Sequence, residues 1–331
     1  MIQTIHQNVK PLSDKTIILA NPRGFCAGVD RAIAIVRRAL DKYGAPIYVR
    51  HEVVHNKYVV DNLKKRGAIF IEDVNDVPEG SILVYSAHGV PLSVRETAET
   101  RNLNLIFDAT CPLVSKVHVE IKSLHKKGYT IIMVGHKGHP EVEGTMGQVD
   151  GNIYLIENIL DIEKLPISPD IPKIAVVTQT TLSVDETREI LNKLQTSFSN
   201  LRLPKNEDIC YATQNRQDAV KALAKVCDAV LVIGSKNSSN SNRLKELAEN
   251  LGVKSYLIDF ADEIHQEWLT NVKNVGLTAG ASAPEILVEG VINVLNKYGF
   301  NKIDTLNVVE EEMVFALPHE LRENTPVIAS R

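Results

Sequence analysis

Short apolar runs rich in β-branched residues alternate with longer segments of helical periodicity along nearly the whole chain. Such runs predict strands over residues 16–21, 46–52, 69–72, 81–86, 104–109, 130–135, 153–157, 174–178, 228–234, 255–259 and 274–278. Strands that alternate with helices are joined by βαβ crossovers. The pattern therefore predicts an α/β fold with mostly parallel sheets.

Three of the predicted helices directly follow cysteines, and their apolar residues recur at intervals of three and four, as in amphipathic helices. These residues are Ile33, Val36, Leu40 and Tyr43 after Cys26; Leu113, Val117, Ile121 and Leu124 after Cys111; and Val220, Leu223 and Cys227 after Cys210. Pro112 takes the first helical position after Cys111, where proline is favoured.

The cysteine junctions divide the chain into three units of similar size, 17–110, 111–209 and 210–300. We interpret these as three related α/β domains, although their side-by-side sequence identity is weak. We predict that residues 1–16 form a disordered N-terminal extension. Residues 301–331 form a C-terminal tail that we expect to lie over the surface or to wrap back onto the first unit.

Composition narrows the class of protein. The chain has 331 residues, of which 44 % are apolar and 24 % charged, and its net charge is −4, which gives no reason to expect nucleic-acid binding. No apolar run approaches the length of a membrane helix, and the N-terminus has no secretory hydrophobic region. Four scattered cysteines argue against disulfides. These features predict a cytoplasmic protein.

Cys26, Cys111 and Cys210 occupy equivalent positions, each between a strand and a helix. A single free cysteine is more often a small buried hydrophobe, but three at matching junctions favour a shared site. Each thiol would lie near a helix N-terminus, where unpaired N–H groups favour a thiolate. Three thiolates suit zinc or an iron–sulfur cluster with one open coordination position, and spacing alone does not separate the two. Cys227 lies on an apolar face and is assigned to the core.

Several histidines lie just beyond strand ends, which is the edge where α/β sheets bind ligands. His55, His88 and His139 lie in polar or glycine-flanked loops suited to contacting an anion. His51 and His136 fit a structural role equally well. His118 and the remaining histidines are predicted to lie on the surface.

Three strand-to-helix loops are rich in hydroxyl and amide groups, and helix N-termini of this kind can cradle phosphate. Their residues are Thr180 and Thr181; Ser238, Ser239 and Asn240; and Ser282. Each loop alone is more simply a polar helix cap. Together with the histidines, and without a basic cluster, they favour a small diphosphate.

Glu141 differs from most loop glutamates, which are simply solvated. It lies two residues from His139 in the predicted loop HPEVEG, beyond a strand. This histidine-rich setting makes Glu141 a candidate proton donor, ahead of its neighbour Glu143.

With these residues established, the chain closely resembles the 4-hydroxy-3-methylbut-2-enyl diphosphate reductases, which act last in the methylerythritol phosphate route to isoprenoids. The resemblance covers about residues 17–322 and rests on the motifs ANPRGFCAGVDRA, YVRHEVVHN, SAHGV, FDATCPLV, GHPEVEGTMGQ, TQTTLSVD, DICYAT, NRQ, GSKNSSNSNRL and TAGASAP. It implies a trefoil of three α/β domains around a central cavity. It also implies one 4Fe–4S cluster per chain, rather than zinc, held by Cys26, Cys111 and Cys210.

The resemblance further implies a role for each candidate residue. Diphosphate-binding positions match His55, His88, Ser238, Asn240 and Ser282, with Ser239 and Thr181 beside them. His139 matches a residue near the substrate, and Thr180 and Glu141 match those that orient its hydroxyl group and deliver protons. The implied reaction is a two-electron reductive dehydroxylation giving isopentenyl and dimethylallyl diphosphate. Flavodoxin or ferredoxin is the implied electron donor, because no flavin or nicotinamide fingerprint is present.

Two alternatives belong to other classes of protein. One is a zinc protein with a Cys₃His site and a binding role, which would be colourless where a cluster protein is brown. The other is a cluster-bearing dehydratase, whose reaction needs no net electrons.

Overall fold

The computed structural model describes residues 15–204 and 208–322. Most of the predicted N-terminal extension, residues 1–14, and the end of the predicted tail, residues 323–331, lie outside the described residues. No helix in the described ranges is long and apolar enough to cross a membrane.

Strands and helices alternate as the sequence predicts. The strands are Thr16–Asn21 (β1), Ile47–Arg50 (β2), Ala68–Ile71 (β3), Ile82–Tyr85 (β4), Leu105–Asp108 (β5), Thr130–Val134 (β6), Ile153–Ile156 (β7), Ile174–Thr178 (β8), Leu201–Arg202 (β9), Ala229–Ile233 (β10), Lys254–Ile258 (β11), Asn274–Ala279 (β12) and Lys302–Asn307 (β13). The α-helices are Ala27–Tyr43 (α1), Lys57–Lys65 (α2), Leu92–Thr100 (α3), Pro112–Lys126 (α4), Pro140–Met146 (α5), Val184–Ser197 (α6), Tyr211–Leu223 (α7), Ser239–Asn250 (α8) and Glu285–Lys297 (α9). Short 3₁₀ helices span Val74–Asp76, Ile159–Lys164, Ala261–Glu263, Gln266–Leu269 and His319–Leu321.

The strands form three separate parallel sheets, with the orders β3-β2-β4-β5, β7-β6-β8-β9 and β11-β10-β12-β1-β13. Helices connect the strands, which confirms the predicted α/β class and the three-unit trefoil. Each predicted strand is present to within two residues at either end. Strands β9 and β13 are additional to the prediction.

The predicted division into units needs correction at both ends. Strand β1 pairs with β12 and β13, so it belongs to the sheet of the third unit and not to the first. Residues 302–307 form the edge strand β13 of that sheet and are not part of a surface tail. Ile17 and Leu19 of β1 are buried in the apolar core of the third unit, which explains why β1 joins the sheet of that unit.

Each sheet is covered by apolar clusters on both faces. In the second unit, Ile132 and Val134 of β6 point to one cluster, and Ile131 and Met133 point to the other, under α4. This alternation is the period-two geometry of a strand buried on both sides. The rigid sheets leave their carboxyl ends free to carry site residues.

Beyond β13, the C-terminal segment returns to the first unit, as expected. Leu321 is buried in the core of that unit, and its carbonyl accepts a 2.9 Å hydrogen bond from Arg38 of α1. Residues 308–322 therefore connect the third sheet to the first unit.

Candidate functional site

Three cysteines hold the N-cap positions of helices. Cys26 precedes α1, Cys111 precedes α4 and Cys210 precedes α7, as the sequence predicts. All three are free and half-buried, and none of them belongs to an apolar core cluster of the described residues. The sulfurs of Cys26 and Cys111 accept no capping hydrogen bond.

Each cysteine is fastened to a loop of a neighbouring unit through its backbone N–H group. The three bonds run from Cys26 to the carbonyl of Ala281 (3.2 Å), from Cys111 to Ala87 (2.9 Å) and from Cys210 to Thr180 (3.1 Å). The residues that directly follow the first two acceptors are Ser282 and His88, so the cysteine junctions and the predicted anion-binding loops form one assembly.

Gly28 permits two of the sulfurs to approach each other. A Cβ atom at this position would lie 2.6 Å from Sγ of Cys111 and 3.9 Å from Sγ of Cys26. No side chain fits there without displacing Cys111. Glycine is required here because the Cys111 sulfur lies so close, and not because of the backbone conformation, whose φ angle is ordinary.

Burial governs the ionisation of these thiols. Desolvation raises the pKa of all three thiols, that of Cys111 to about 12 and that of Cys210 to about 11. The negative charge of Cys26 raises the pKa of Cys111 and Cys210 further. The expectation that helix N-termini favour thiolates is therefore wrong for the free thiols, because desolvation outweighs the backbone N–H groups. The sulfurs ionise together only beside a compensating positive charge, as metal ions supply.

Within the described ranges, no group of three or more His, Cys, Asp or Glu side chains is arranged to hold a metal ion. Cys227 is 8 % exposed and packs in an apolar cluster with Val220 and Leu223, which confirms its assignment to the core. Helix α7 ends at Leu223, so Cys227 follows the helix and is not part of it.

Histidine rings from two units form a cluster at the carboxyl ends of the strands. His55 and His88 are stacked with centroids 4.1 Å apart, and His139 meets them edge-on at 5.4 and 5.8 Å. His51 lies 5.6 Å from His55 and is also held by Glu72. The structure therefore brings all three predicted anion-binding histidines together.

Burial determines the protonation state of the histidine rings in this cluster. Desolvation lowers the pKa of His139 to about 3 and that of His88 well below its usual range, with His55 contributing in both cases. Nδ1 of His139 accepts a 3.1 Å hydrogen bond from the N–H of Glu141. The ring proton of His139 is therefore on Nε2, which is free to donate.

Several buried polar atoms beside the cluster have no hydrogen-bond partner within the described residues. They are Nε2 of His55, Nδ1 of His88 and both amide atoms of Asn240. Buried polar groups are nearly always paired, so these three residues are candidates for contacting an external ligand.

Hydroxyl groups from two units complete this surface. Thr181 donates to the hydroxyl of Ser239 across the gap between the second and third units, at 3.1 Å. The Ser238 side chain caps α8, and the Ser282 hydroxyl donates to the His55 carbonyl at 2.8 Å. Thr181 and Ser239 are therefore in contact, and Ser282 contacts the loop that carries His55.

A cavity of about 560 Å³ opens onto this region. Its walls include His55, His139 and Ser239, and also two cations that were not predicted, Lys137 and Arg243. Lys137 directly precedes the motif GHPEVEGTMGQ and Arg243 lies in GSKNSSNSNRL, but the sequence alone does not show that either residue faces a cavity.

Glu141 and Thr180 form a buried pair across two elements. The Glu141 carboxylate accepts hydrogen bonds from the Thr180 N–H at 2.6 Å and the Thr180 hydroxyl at 2.8 Å. Desolvation outweighs both bonds and raises the pKa of Glu141 to about 7. Glu141 lies in the first turn of α5 rather than in the predicted loop, and Glu143 is exposed.

His118 lies in the interior and not, as the sequence predicted, on the surface. It is 5 % exposed, and its ring packs where a side chain on Gly89 would collide with it at 2.7 Å. Burial lowers its pKa to about 4. His118 is therefore an interior residue that supports the loop carrying His88.

The sequence matches the protein family described as LytB protein over residues 17–296. It is 60 % identical over 308 residues to the 4-hydroxy-3-methylbut-2-enyl diphosphate reductase of Chromobacterium violaceum, covering 93 % of this chain and 98 % of the relative. Identity to the protein of the same name from Tolumonas auensis is 58 % over 309 residues, covering 92 % and 99 %.

Two solved structures are also similar. The E-1-hydroxy-2-methyl-but-2-enyl-4-diphosphate reductase from Plasmodium falciparum matches with a TM-score of 0.89 at 41 % identity, covering 93 % of this chain and 96 % of that one. The (E)-4-hydroxy-3-methyl-but-2-enyl diphosphate reductase described as the terminal enzyme of the non-mevalonate pathway matches with a TM-score of 0.62 at 32 % identity, covering 86 % and 99 %.

Proposed function

The chain belongs to the LytB protein family and is an enzyme, and on that premise we propose that it reduces (E)-4-hydroxy-3-methylbut-2-enyl diphosphate. The products are isopentenyl and dimethylallyl diphosphate. The reaction consumes two electrons and two protons; the C–O bond breaks, the hydroxyl group leaves as water, and the second proton adds to carbon.

One observation carries the proposal. Among the described residues, His55, His88 and Asn240 have buried polar atoms without a hydrogen-bond partner. His55 and His88 lie in loops and Asn240 in the first turn of α8, and His88 directly follows Ala87, the acceptor of the Cys111 N–H group. An anion-binding surface and a set of three thiols are therefore joined in one site. A substrate with a diphosphate at one end and a reducible group at the other fits this combination.

The thiol set fits a 4Fe–4S cluster with one iron left open. Cys26, Cys111 and Cys210 supply soft sulfur donors at the N-termini of three helices. Buried thiols with raised pKa values require a positive group among them in order to ionise. When bound, the cluster supplies electrons and a Lewis-acid position for the allylic oxygen.

The diphosphate is bound by neutral donors and histidines contributed by all three units. His55 and His88 come from the first unit, Thr181 from the second, and Asn240 and Ser282 from the third, with Ser238 and Ser239 beside them. Helix α8 begins at this point, so its N-terminal N–H groups add favourable dipoles. Binding therefore joins the units around the substrate.

Glu141 delivers a proton to the departing hydroxyl group. Its pKa of about 7 leaves much of it protonated at neutral pH, where an ordinary glutamate is ionised. Thr180 orients both the carboxyl group and the substrate hydroxyl. His139, neutral and protonated on Nε2, donates a hydrogen bond to the substrate.

Electrons reach the site from outside the chain, since the sequence has no flavin or nicotinamide fingerprint. A one-electron carrier of the flavodoxin or ferredoxin type is the proposed donor. Four free thiols suit a reducing compartment, and we place the protein in the cytoplasm.

Anaerobic turnover with product analysis tests the proposal. The purified full-length protein is incubated with (E)-4-hydroxy-3-methylbut-2-enyl diphosphate, with and without a strong chemical reductant. We expect isopentenyl and dimethylallyl diphosphate only when the reductant is present. A dehydrated product without reductant would indicate a dehydratase instead, and a colourless, zinc-loaded protein without turnover would indicate a zinc-binding role.

A further inference from the structure

A buried arginine joins the third cysteine helix to the loop that carries the first cysteine. Arg216 of α7 is fully buried and donates to the carbonyl of Gly24 at 2.6 and 3.0 Å and to that of Phe25 at 3.3 Å. These carbonyls directly precede Cys26. The Glu311 carboxylate, 3.0 Å from Arg216, neutralises the guanidinium from the other side.

The same relation recurs between the first cysteine helix and the second cysteine. Arg31 of α1 donates to the carbonyl of Thr110 at 3.1 Å and to that of Asp108 at 3.2 Å. Thr110 directly precedes Cys111. The third N–H of this guanidinium donates to the carbonyl of Ala316 at 2.9 Å, again in the C-terminal segment.

A third cation makes the corresponding link between the second cysteine helix and the third cysteine. Lys116 of α4 forms an ion pair with Asp208 at 3.8 Å. Asp208 lies two residues before Cys210, and its other oxygen accepts a 3.0 Å hydrogen bond from the Thr178 N–H at the end of β8. This link is the weakest of the three, because it is a single long contact with a half-exposed lysine.

We propose that Arg31, Lys116 and Arg216 form a cyclic clasp, in which each cysteine-bearing helix holds the loop preceding the next cysteine. These are positioning residues: each acts through a cysteine loop and none contacts the substrate. The proposal rests on the assignment of the three cysteines to one cluster.

Three thiols on separate units can hold one cluster only if the distances between their sulfurs are fixed. The backbone N–H bonds of the cysteines fix one side of each junction, and the cations fix the loop before it. Arginine suits both the buried position 216 and the half-buried position 31, because its planar fork binds several carbonyl oxygens at once and stays charged. Lysine keeps the charge but not this geometry.

The clasp predicts that each substitution affects one particular thiol. We expect Arg216→Lys to loosen the Cys26 loop, Arg31→Lys to loosen the Cys111 loop, and Lys116→Met to loosen the Cys210 loop. A general loss of stability would instead affect all thiols alike. The matched controls are Arg37→Lys on α1 and Lys122→Met on α4, both exposed on the same helices.

The experiment measures the alkylation rate of each cysteine in the metal-free full-length chain, by peptide mass spectrometry at constant pH. We expect each clasp variant to raise the alkylation rate of the cysteine whose loop it loosens. The increase should be about tenfold for Arg216→Lys and smaller for Lys116→Met, and the alkylation rate of Cys227 should not change. Equal increases at all thiols, or rates equal to those of the control variants, would overturn the clasp.

Release of iron to a chelator from the loaded protein is the second measurement. The clasp predicts faster release from Arg216→Lys and Arg31→Lys than from the control variants, and equal rates would contradict it. If the parent chain binds no iron, the proposed cluster fails, whereas the alkylation pattern still decides whether the clasp exists.

Discussion

At the scale of single residues, Glu141 shows how burial turns an ordinary carboxyl group into a useful acid. Two hydrogen bonds from Thr180 favour the carboxylate, yet desolvation prevails and the pKa rises to about 7. The residue type alone could not reveal this balance. Apart from the family resemblance, the sequence suggested Glu141 only through its predicted loop position beside His139.

Replacing Glu141 by glutamine tests its role as proton donor. Glutamine keeps the shape and some of the hydrogen bonding but cannot give up a proton in this way. We expect Glu141→Gln to keep its iron and bind substrate while losing at least about a hundredfold in turnover. Glu143→Gln is the matched control, because Glu143 is exposed on the same helix.

The pH profile of turnover distinguishes an acid from a structural carboxylate. Because the raised pKa lies near 7, Glu141 carries its proton below that pH and loses it as the pH rises. Turnover of the parent should therefore fall above about pH 7, and the residual rate of Glu141→Gln should lack this fall. Near-parental turnover in the variant would leave His139 or the substrate diphosphate as the donor.

At the scale of elements, the helix N-termini carry the site, and the sequence located them well. The cysteine junctions and the start of α8 follow from apolar periodicity, proline at a first helical position and serine capping. Helix α5 was missed because its seven residues, PEVEGTM, include a glycine and are flanked by polar residues. Gly144 is needed there because a Cβ would lie 3.1 Å from the Gly89 carbonyl.

The first turn of α8 makes a prediction about anion binding. Both buried amide atoms of Asn240 lack a hydrogen-bond partner within the described residues, so the side chain adds no stability unless a ligand binds it. Asn240→Ala should weaken binding of inorganic diphosphate by about 1.5–3 kcal/mol while leaving the melting temperature unchanged or higher. Titration calorimetry checks the affinity.

Asn250→Ala, at the exposed end of the same helix, serves as the control for Asn240→Ala. Parental diphosphate affinity in Asn240→Ala, or a clear fall in its melting temperature, would mean that Asn240 is a structural residue and that the anion binds elsewhere.

At the scale of the whole molecule, local patterns predict the strands but not every partner of each strand. Strand β1 pairs with β12, more than 250 residues later in the chain, and no local pattern encodes that pairing. Strand β13 escaped prediction because five of its six residues are exposed, as suits an edge strand. The trefoil itself was implied by the resemblance of motifs rather than by periodicity.

The clasp and the cysteine backbone bonds also belong to this scale. Arg216 and Gly24 are 192 residues apart, and their contact depends on the packing of two units. The NRQ motif marks the arginine in the sequence, but nothing there indicates its partner. Long-range hydrogen bonds of this kind follow from the assembled fold.

The central claim is that three cysteines of three units hold one iron–sulfur cluster. Iron and acid-labile sulfide are measured in the anaerobically purified parent and in single Cys→Ser variants. We expect about four of each per parent chain, loss of most of both in Cys26→Ser, Cys111→Ser and Cys210→Ser, and parental content in Cys227→Ser. Zinc in place of iron, or loss of the cluster only in Cys227→Ser, would contradict this claim.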